Sequence, residues 1–241
     1  MSKKPFQFKE FTINQNKTAM KIGTDAVLLG AWCPLVDAPE SILDVGTGTG
    51  VIALMLAQRS EAFTIDAVEL DENAYEQAVE NFEASSWGDR LYGYHASFQE
   101  FAKELEEEQE TYDVIVSNPP FYTDNFETAD KSRNKARFEA ALPFEALVKN
   151  SVKILSNSGV FAIILPFKEE VNFIRLATSY QLFVNQICRV KGTPESAIKR
   201  SLLAFSFQEK EIKETQLIIE TARHQYTQEY RNLTKDFYLK M

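Results

Sequence analysis

From Ser41 onward, short apolar runs alternate with segments of helical periodicity. Ser41–Val45 is apolar, ends in a glycine cluster and reads as a buried strand. Residues 51–58 follow as a buried helix and residues 64–70 as a second strand, after which Asp71 makes a helix N-cap. Ala74, Ala78 and Phe82 recur on one face of the helix it starts. A third strand spans 91–96, followed by a helix through Phe98, Phe101 and Leu105. Tyr112–Ser117 is the fourth strand and enters Asn118-Pro119-Pro120-Phe121. A helix over 142–155, a strand over 159–165 apolar on both faces, a helix over 169–179 and strands at 182–190 and 202–208 complete the series.

Apolar, non-alternating strands in repeated strand–helix–strand units predict an α/β fold with a mostly parallel, seven-stranded sheet and helices on both faces. The last two strands are joined by residues 191–200, which include Gly192 and Pro194. That is too short for a parallel crossover, so an antiparallel hairpin at the sheet edge is expected. No Pro-rich linker or low-complexity tract divides residues 1–241, which predicts one domain with residues 1–40 as an N-terminal extension.

Composition narrows the class. The chain has 241 residues, 44% of them hydrophobic and 25% charged, ordinary for a globular protein. Cys33 and Cys188 are far apart with no CxxC pair, so they read as apolar filling in a reducing compartment, and no metal is expected. No apolar run approaches the ~20 residues of a membrane helix, and the basic start at Lys3 and Lys4 is not followed by an apolar signal segment. A cytoplasmic protein is expected. The net charge of −9 argues at first against a nucleic-acid partner. Between Glu100 and Asp113, however, seven acids stand against one base, and this local excess holds most of the charge. It lies before the fourth strand's start, opposite the expected active site, so the total does not exclude RNA.

Two motifs carry chemistry. Asp44-Val45-Gly46-Thr47-Gly48-Thr49-Gly50 sits where a strand turns into a helix; glycines let the backbone approach a ligand, and the helix N-terminus offers N–H groups. The spacing is GxGxG, not the GxGxxG of nicotinamide dehydrogenases. Asp44 would repel a pyrophosphate and attract a sulfonium or ammonium. Glu69, 19 positions after Gly50, ends the second strand, where a carboxylate can take both ribose hydroxyls. Together these point to S-adenosylmethionine (SAM), rather than to a glycine turn with a chance acid. In Asn118-Pro119-Pro120-Phe121 the prolines stiffen the backbone, leaving the Asn118 amide oxygen and the Pro119 carbonyl as fixed acceptors for an exocyclic NH₂. Phe121 adds a flat apolar face. By itself, Asn-Pro can equally mark an ordinary turn.

These residues resemble the class I, Rossmann-like SAM-dependent methyltransferases that act on amino groups of bases. Three further stretches are similar to one member family, the bacterial tRNA(Val) adenine-37 N6-methyltransferases: Ala19-Met20-Lys21-Ile22-Gly23-Thr24-Asp25-Ala26-Val27-Leu28-Leu29-Gly30-Ala31-Trp32; Asp66-Ala67-Val68-Glu69-Leu70; and the C-terminal series Tyr226, Thr227, Tyr230, Leu233, Thr234, Phe237, Tyr238 and Leu239. The resemblance implies that Glu69 holds the ribose of the cofactor and that Gly46 and Gly48 let the backbone reach its methionine part, with Gly50 and Leu70 also among the cofactor-binding residues. It implies a lid from Lys21, Gly23, Thr24 and Asp25, with Thr24 or Asp25 also capping the next helix; a simple N-capped helix is the plainer reading of that segment. Many relatives hold the adenine of SAM with an acid at the end of the third strand, where this chain has Ser97 and Phe98.

The implied substrate is an adenine splayed from the anticodon loop of valine tRNA, its N6 hydrogens accepted by Asn118 and Pro119 beside Pro120 and Phe121. No general base is needed, which fits a chain with two histidines, His95 and His224. Tyr122, Lys131, Arg133, Lys135 and Arg137 follow the motif, and Arg189, Lys191, Lys199 and Arg200 flank the hairpin; both groups are expected to meet RNA phosphates, although such runs are commonly solvated loops. Alternatives are methylation of another amino group (guanine N2 of rRNA, adenine of DNA, or a release-factor glutamine) and a non-catalytic scaffold of the same fold.

Overall fold

The structure, a computed structural model, describes residues 4–120 and 142–240. It opens with β1 (Phe6–Gln7) paired antiparallel to β2 (Thr12–Ile13), then α1 (Thr24–Trp32). Strand–helix units follow: β3 (Ser41–Val45), α2 (Val51–Arg59), β4 (Thr64–Glu69), α3 (Glu72–Glu83), β5 (Leu91–His95), α4 (Phe98–Glu108), β6 (Tyr112–Ser117), α5 (Phe144–Ile154) and β7 (Leu155–Pro166). A 3₁₀ turn (Phe167–Glu169) leads to α6 (Glu170–Ser179), β8 (Phe183–Lys191), β9 (Ile198–Ser206), β10 (Lys213–Ile218), β11 (Glu220–Ala222), β12 (Gln225–Tyr226) and α7 (Gln228–Thr234).

Among the described residues, eight strands form the main sheet, in the order β10-β8-β9-β7-β6-β3-β4-β5. β9 alone is antiparallel to its neighbours β7 and β8; the other pairs are parallel. The seven strands expected are present, and the β8–β9 hairpin has the expected sense. The eighth, β10, pairs with β8 and takes the edge position expected of the hairpin. Its sequence, Lys-Glu-Thr-Gln-Leu-Ile, buries only Leu217, so it has no apolar run to announce it. β9 begins at Ile198, four residues earlier than expected, because its polar start pairs with Val190, Lys191 and Pro166.

Alternation along the strands divides the core. Ile42, Ile65, Val114, Val116, Ala162 and Ile164 face one side with α1, α2, Ala78 and Phe82. Leu43, Val45, Ile115, Phe161 and Ile163 face the other with Phe101, Leu105, Leu147 and Phe173. Burial on both faces accounts for the continuous apolar strands.

The N-terminal extension is built into the core. Six consecutive residues of α1, Ala26–Ala31, are buried, and a Cβ on Gly30 would lie 2.7 Å from Met55 Sδ, so α1 and α2 meet at closest approach there. Phe8 stacks on Phe11 and Tyr238, Phe8 bridges to Tyr238, and the Lys9 N–H donates to Phe237 O (2.8 Å). Thr227 caps α7, accepting from the Tyr230 N–H (3.2 Å), while Tyr230, Thr234 and Phe237 are buried. The patterned C-terminal stretch thus packs the two ends of the chain together.

Candidate active site

Going outward from β3 the chain turns toward β4, and going outward from β6 toward β7, so the strand order reverses between β3 and β6. A crevice outside the carboxyl ends of strands at such a point is where open α/β sheets bind ligands. The Ser117 hydroxyl ties the two strand ends by donating to Val45 O (2.9 Å).

The glycine loop leaves β3 there. Gly46, Gly48 and Gly50 have φ of 70°, 61° and 80°, the left-handed region that glycine enters without a Cβ clash. They do different work. A Cβ on Gly46 or Gly48 would meet nothing within 4 Å, so this stretch of backbone borders open space. On Gly50 it would lie 2.5 Å from the Phe82 ring, so Gly50 lets α3 pack against the start of α2.

Asp44 lies fully buried under the loop. Its Oδ2 accepts from the Thr47 hydroxyl (2.6 Å) and the Ala53 N–H (3.2 Å), while Oδ1 is buried with no partner. Burial pushes its carboxyl up to about 7, against the pull of those two donors. Glu69, half-buried at the end of β4, accepts from the Gly48 N–H through Oε2 and the Asp71 N–H through Oε1, both at 2.9 Å. The N–H groups of Gly46 and Thr47 donate to Val68 O (2.9 and 3.3 Å), which locks loop and strand end together. Leu70 follows at 48% exposed. Beyond Ser117, Asn118 and Pro120 are half-buried and Pro119 is buried; Phe121 lies outside the described residues. A sheltered carboxylate, an open glycine backbone, a second carboxylate at a strand end and an Asn-Pro-Pro segment thus gather at the carboxyl ends of β3, β4 and β6.

The profile of the methyltransferase small domain family matches residues 22–181. The chain belongs to this family. The methyltransferase is 59% identical over 237 residues to a protein of Flavobacterium johnsoniae named tRNA1(Val) (adenine(37)-N6)-methyltransferase, covering 98% of this chain and all of the relative. It is 56% identical to a protein of that name from Christiangramia forsetii over the whole of both chains. The structure of a predicted O-methyltransferase from Agrobacterium tumefaciens superposes with a TM-score of 0.68, at 19% identity, over 88% of this chain and 96% of that one, a likeness of fold.

Other expected site residues have structural partners in the methyltransferase. The Ser97 hydroxyl donates to Glu100 Oε2 (2.7 Å) and accepts from the Glu100 N–H (3.2 Å) in a capping box that starts α4, and Phe98 is buried in the core. Neither Thr24 nor Asp25 caps α1: Gly23 holds the cap position with no side-chain bond, and Thr24 and Asp25 are the first helical residues. Lys21, Gly23 and Thr24 are exposed. Asp25 Oδ2 instead accepts from Arg200 Nε (2.7 Å), an ion pair between the start of α1 and β9.

The hairpin cations are used unequally. Arg189 pairs with the buried Glu170 through two nitrogens and with Glu214 (2.8 Å); it braces α6 against β8 and β10 and does not reach out to a phosphate. Lys191 Nζ donates to Pro194 O within the hairpin loop. Lys199 is exposed. Tyr122, Lys131, Arg133, Lys135 and Arg137 lie outside the described residues.

Sequence reasoning missed Gln77 and Asn81. Both are buried on α3. Asn81 Oδ1 accepts from the Asn14 N–H (2.8 Å), and its Nδ2 donates to Asn14 O (3.0 Å) and Thr49 O (2.8 Å). Gln77 Oε1 accepts from the N–H groups of Asn16 and Lys17. One amide thus holds both the extension and the glycine loop. The available signal was two polar side chains four apart on the face marked by Ala74, Ala78 and Phe82. Among the described residues no group of three or more His, Cys, Asp or Glu is placed to hold a metal, and no helix is long and apolar enough to cross a membrane.

Proposed function

We propose that this methyltransferase transfers a methyl group from SAM to N6 of adenine 37 in the anticodon loop of valine tRNA, in the cytoplasm. The observation that carries the reading is the position of Asn118 and Pro119, which follow Ser117 at the end of β6 beside the open glycine backbone at the end of β3, the two strand ends joined by the Ser117–Val45 bond. Full-length similarity to relatives that bear that substrate in their names supports it.

The residues present fit the cofactor. The partnerless Oδ1 of Asp44 suits a ligand ammonium or sulfonium, directly or through a water. Gly46 and Gly48 leave room for an amino-acid moiety, and each Glu69 oxygen, with one donor bound, retains a lone pair for a ribose hydroxyl. When bound, SAM supplies an electrophilic methyl group on sulfur. Asn118 Oδ1 and Pro119 O accept the two N6 hydrogens and orient the nitrogen lone pair toward it. Positioning and electrostatics carry the rate. Methylated nitrogen is acidic, so its proton leaves to solvent without a strong base.

The test is incubation of the protein with labelled SAM and unmodified tRNA, followed by mass spectrometry of nucleosides. N6-methyladenosine confined to one valine tRNA is expected. Label on N2-methylguanosine, on DNA or on protein would replace the substrate, and no label in any of them would favour the scaffold reading.

A further inference from the structure

We infer that Phe167 and Lys199 form a second RNA contact, in which the ring stacks on a nucleotide next to the target adenine and the ammonium meets its phosphate. This deepens the function proposed above and rests on it.

Phe167 stands just beyond the carboxyl end of β7, the strand beside β6. The parallel register pairs Ser117 with Ile163. Asn118 is one residue past that pair and Phe167 four, so Phe167 lies ~10 Å farther out and one strand, ~5 Å, to the side. That separation suits a neighbouring nucleotide and not the target base itself.

Among the described residues nine of fifteen phenylalanines are buried, yet Phe167 is 39% exposed and Val171, four positions on, 63%. Phe63, Tyr92 and Tyr94, the other exposed aromatics among the described residues, precede β4 or lie on edge strand β5. The exposure of Phe167 is built in. Pro166 holds the cap position of the turn, and Glu170 after it is buried on Arg189 and the Ser201 hydroxyl. Both ends of Phe167–Glu169 are therefore fixed, and the ring is presented from a rigid base.

Lys199 enters through the other neighbour. The antiparallel ladder ends at Pro166↔Arg200, so the next residues outward on the two segments are Phe167, where the strand gives way to the turn, and Lys199. The turn and β9 are in contact. Arg200 Nε is engaged by Asp25, and Lys168 Nζ lies 3.7 Å from Glu169, whereas Lys199 extends into solvent. An exposed ring and an exposed cation on adjoining backbone segments match a base and its phosphate, the combination used on single-stranded RNA.

The test uses the full chain with valine tRNA carrying 2-aminopurine on either side of the target adenine. For Phe167→Leu, which keeps apolar bulk and removes the stack, KM for tRNA should rise about tenfold while SAM affinity is unchanged, and quenching of one 2-aminopurine should be lost. Phe167→Tyr should restore both. Lys199→Gln should flatten the salt dependence of tRNA binding by about one ion. A Phe167→Leu enzyme matching wild type in KM and quenching, where wild type methylates tRNA, overturns this contact alone. Wild type that makes no N6-methyladenosine in tRNA overturns both the contact and the function beneath it.

Discussion

Asp44 and Glu69 are two carboxylates at one end of the sheet with opposite surroundings. Asp44 is buried with one oxygen unpartnered and its carboxyl pushed up to about 7; Glu69 sits at a strand end with a backbone donor on each oxygen. A cationic ligand favours ionised Asp44, so SAM should bind more tightly as pH rises from 6 to 8, with one proton released per ligand at the low end. In the free protein the sign is reversed: a carboxyl raised from its ordinary value near 4 favours the folded state when protonated, so this contribution falls as pH rises from about 4 through 7. Calorimetric SAM binding at pH 6 and 8 in two buffers of different ionisation enthalpy checks the first expectation. Asp44→Asn should weaken binding and abolish its pH dependence. Glu69→Ala should raise the SAM dissociation constant chiefly, and Asn118→Ala should keep SAM binding while methyl transfer falls at least a hundredfold; lost SAM affinity with intact turnover would reverse the role given to Asn118.

At the scale of elements, the glycine loop and the N-terminal extension are not independent. Asn81 bonds the Thr49 carbonyl with the amino group that also holds Asn14, while Gln77 holds Asn16 and Lys17. At its far end the same segment is tied to β9 by Asp25 and Arg200. Removing the Asn81 amide would leave three backbone groups without that partner, each costing about 1–3 kcal/mol if it stays buried and dry. Asn81→Ala is therefore expected to lower stability by about 2–4 kcal/mol and to weaken SAM binding beyond the unfolded fraction. Chemical denaturation, with titration of the folded protein, separates the two; unchanged SAM affinity would show that the linkage is structural only.

Neither linkage was legible in the sequence, because each joins residues far apart in the chain through side chains whose partners are set by tertiary packing. The strands were legible because burial on both faces demands long apolar runs, as in Tyr112–Ser117. β10 failed that test for the opposite reason: it is an edge strand with one buried side chain. Asn118 and the glycines were readable because their chemistry needs particular residue types at particular spacings, whereas the partners of Ser97 and Arg189 depend on which acid the fold brings near.

The whole molecule is polarised along its strands. β3, β4, β5, β6, β7 and β8 end on the side of the glycine loop, Asn118 and the β8–β9 loop, while α4 runs from Ser97 at that side to Glu108 at the other. Glu100 is the exception among the clustered acids, being spent in the capping box beside the site. Glu104, Glu107 and Glu108 lie farther down α4, and the fold sets Asp113 at the far end of β6, where it accepts from the Glu40 N–H. An RNA approaching the strand ends would meet Lys199 and avoid most of the acidic helix. Exposed charges farther apart than a Debye length, about 8 Å at physiological salt, are largely screened from one another. Neutralising Glu104 and Glu108 should therefore leave KM for tRNA within about twofold at that salt, a long-range effect that should grow when salt is lowered. Neutralising Arg133 and Arg137, which follow the Asn-Pro-Pro segment in sequence, should raise KM and reduce the slope of log affinity against log salt by up to two ions. Equal effects from the acidic and basic pairs would mean that net charge, not the face presented, governs RNA binding.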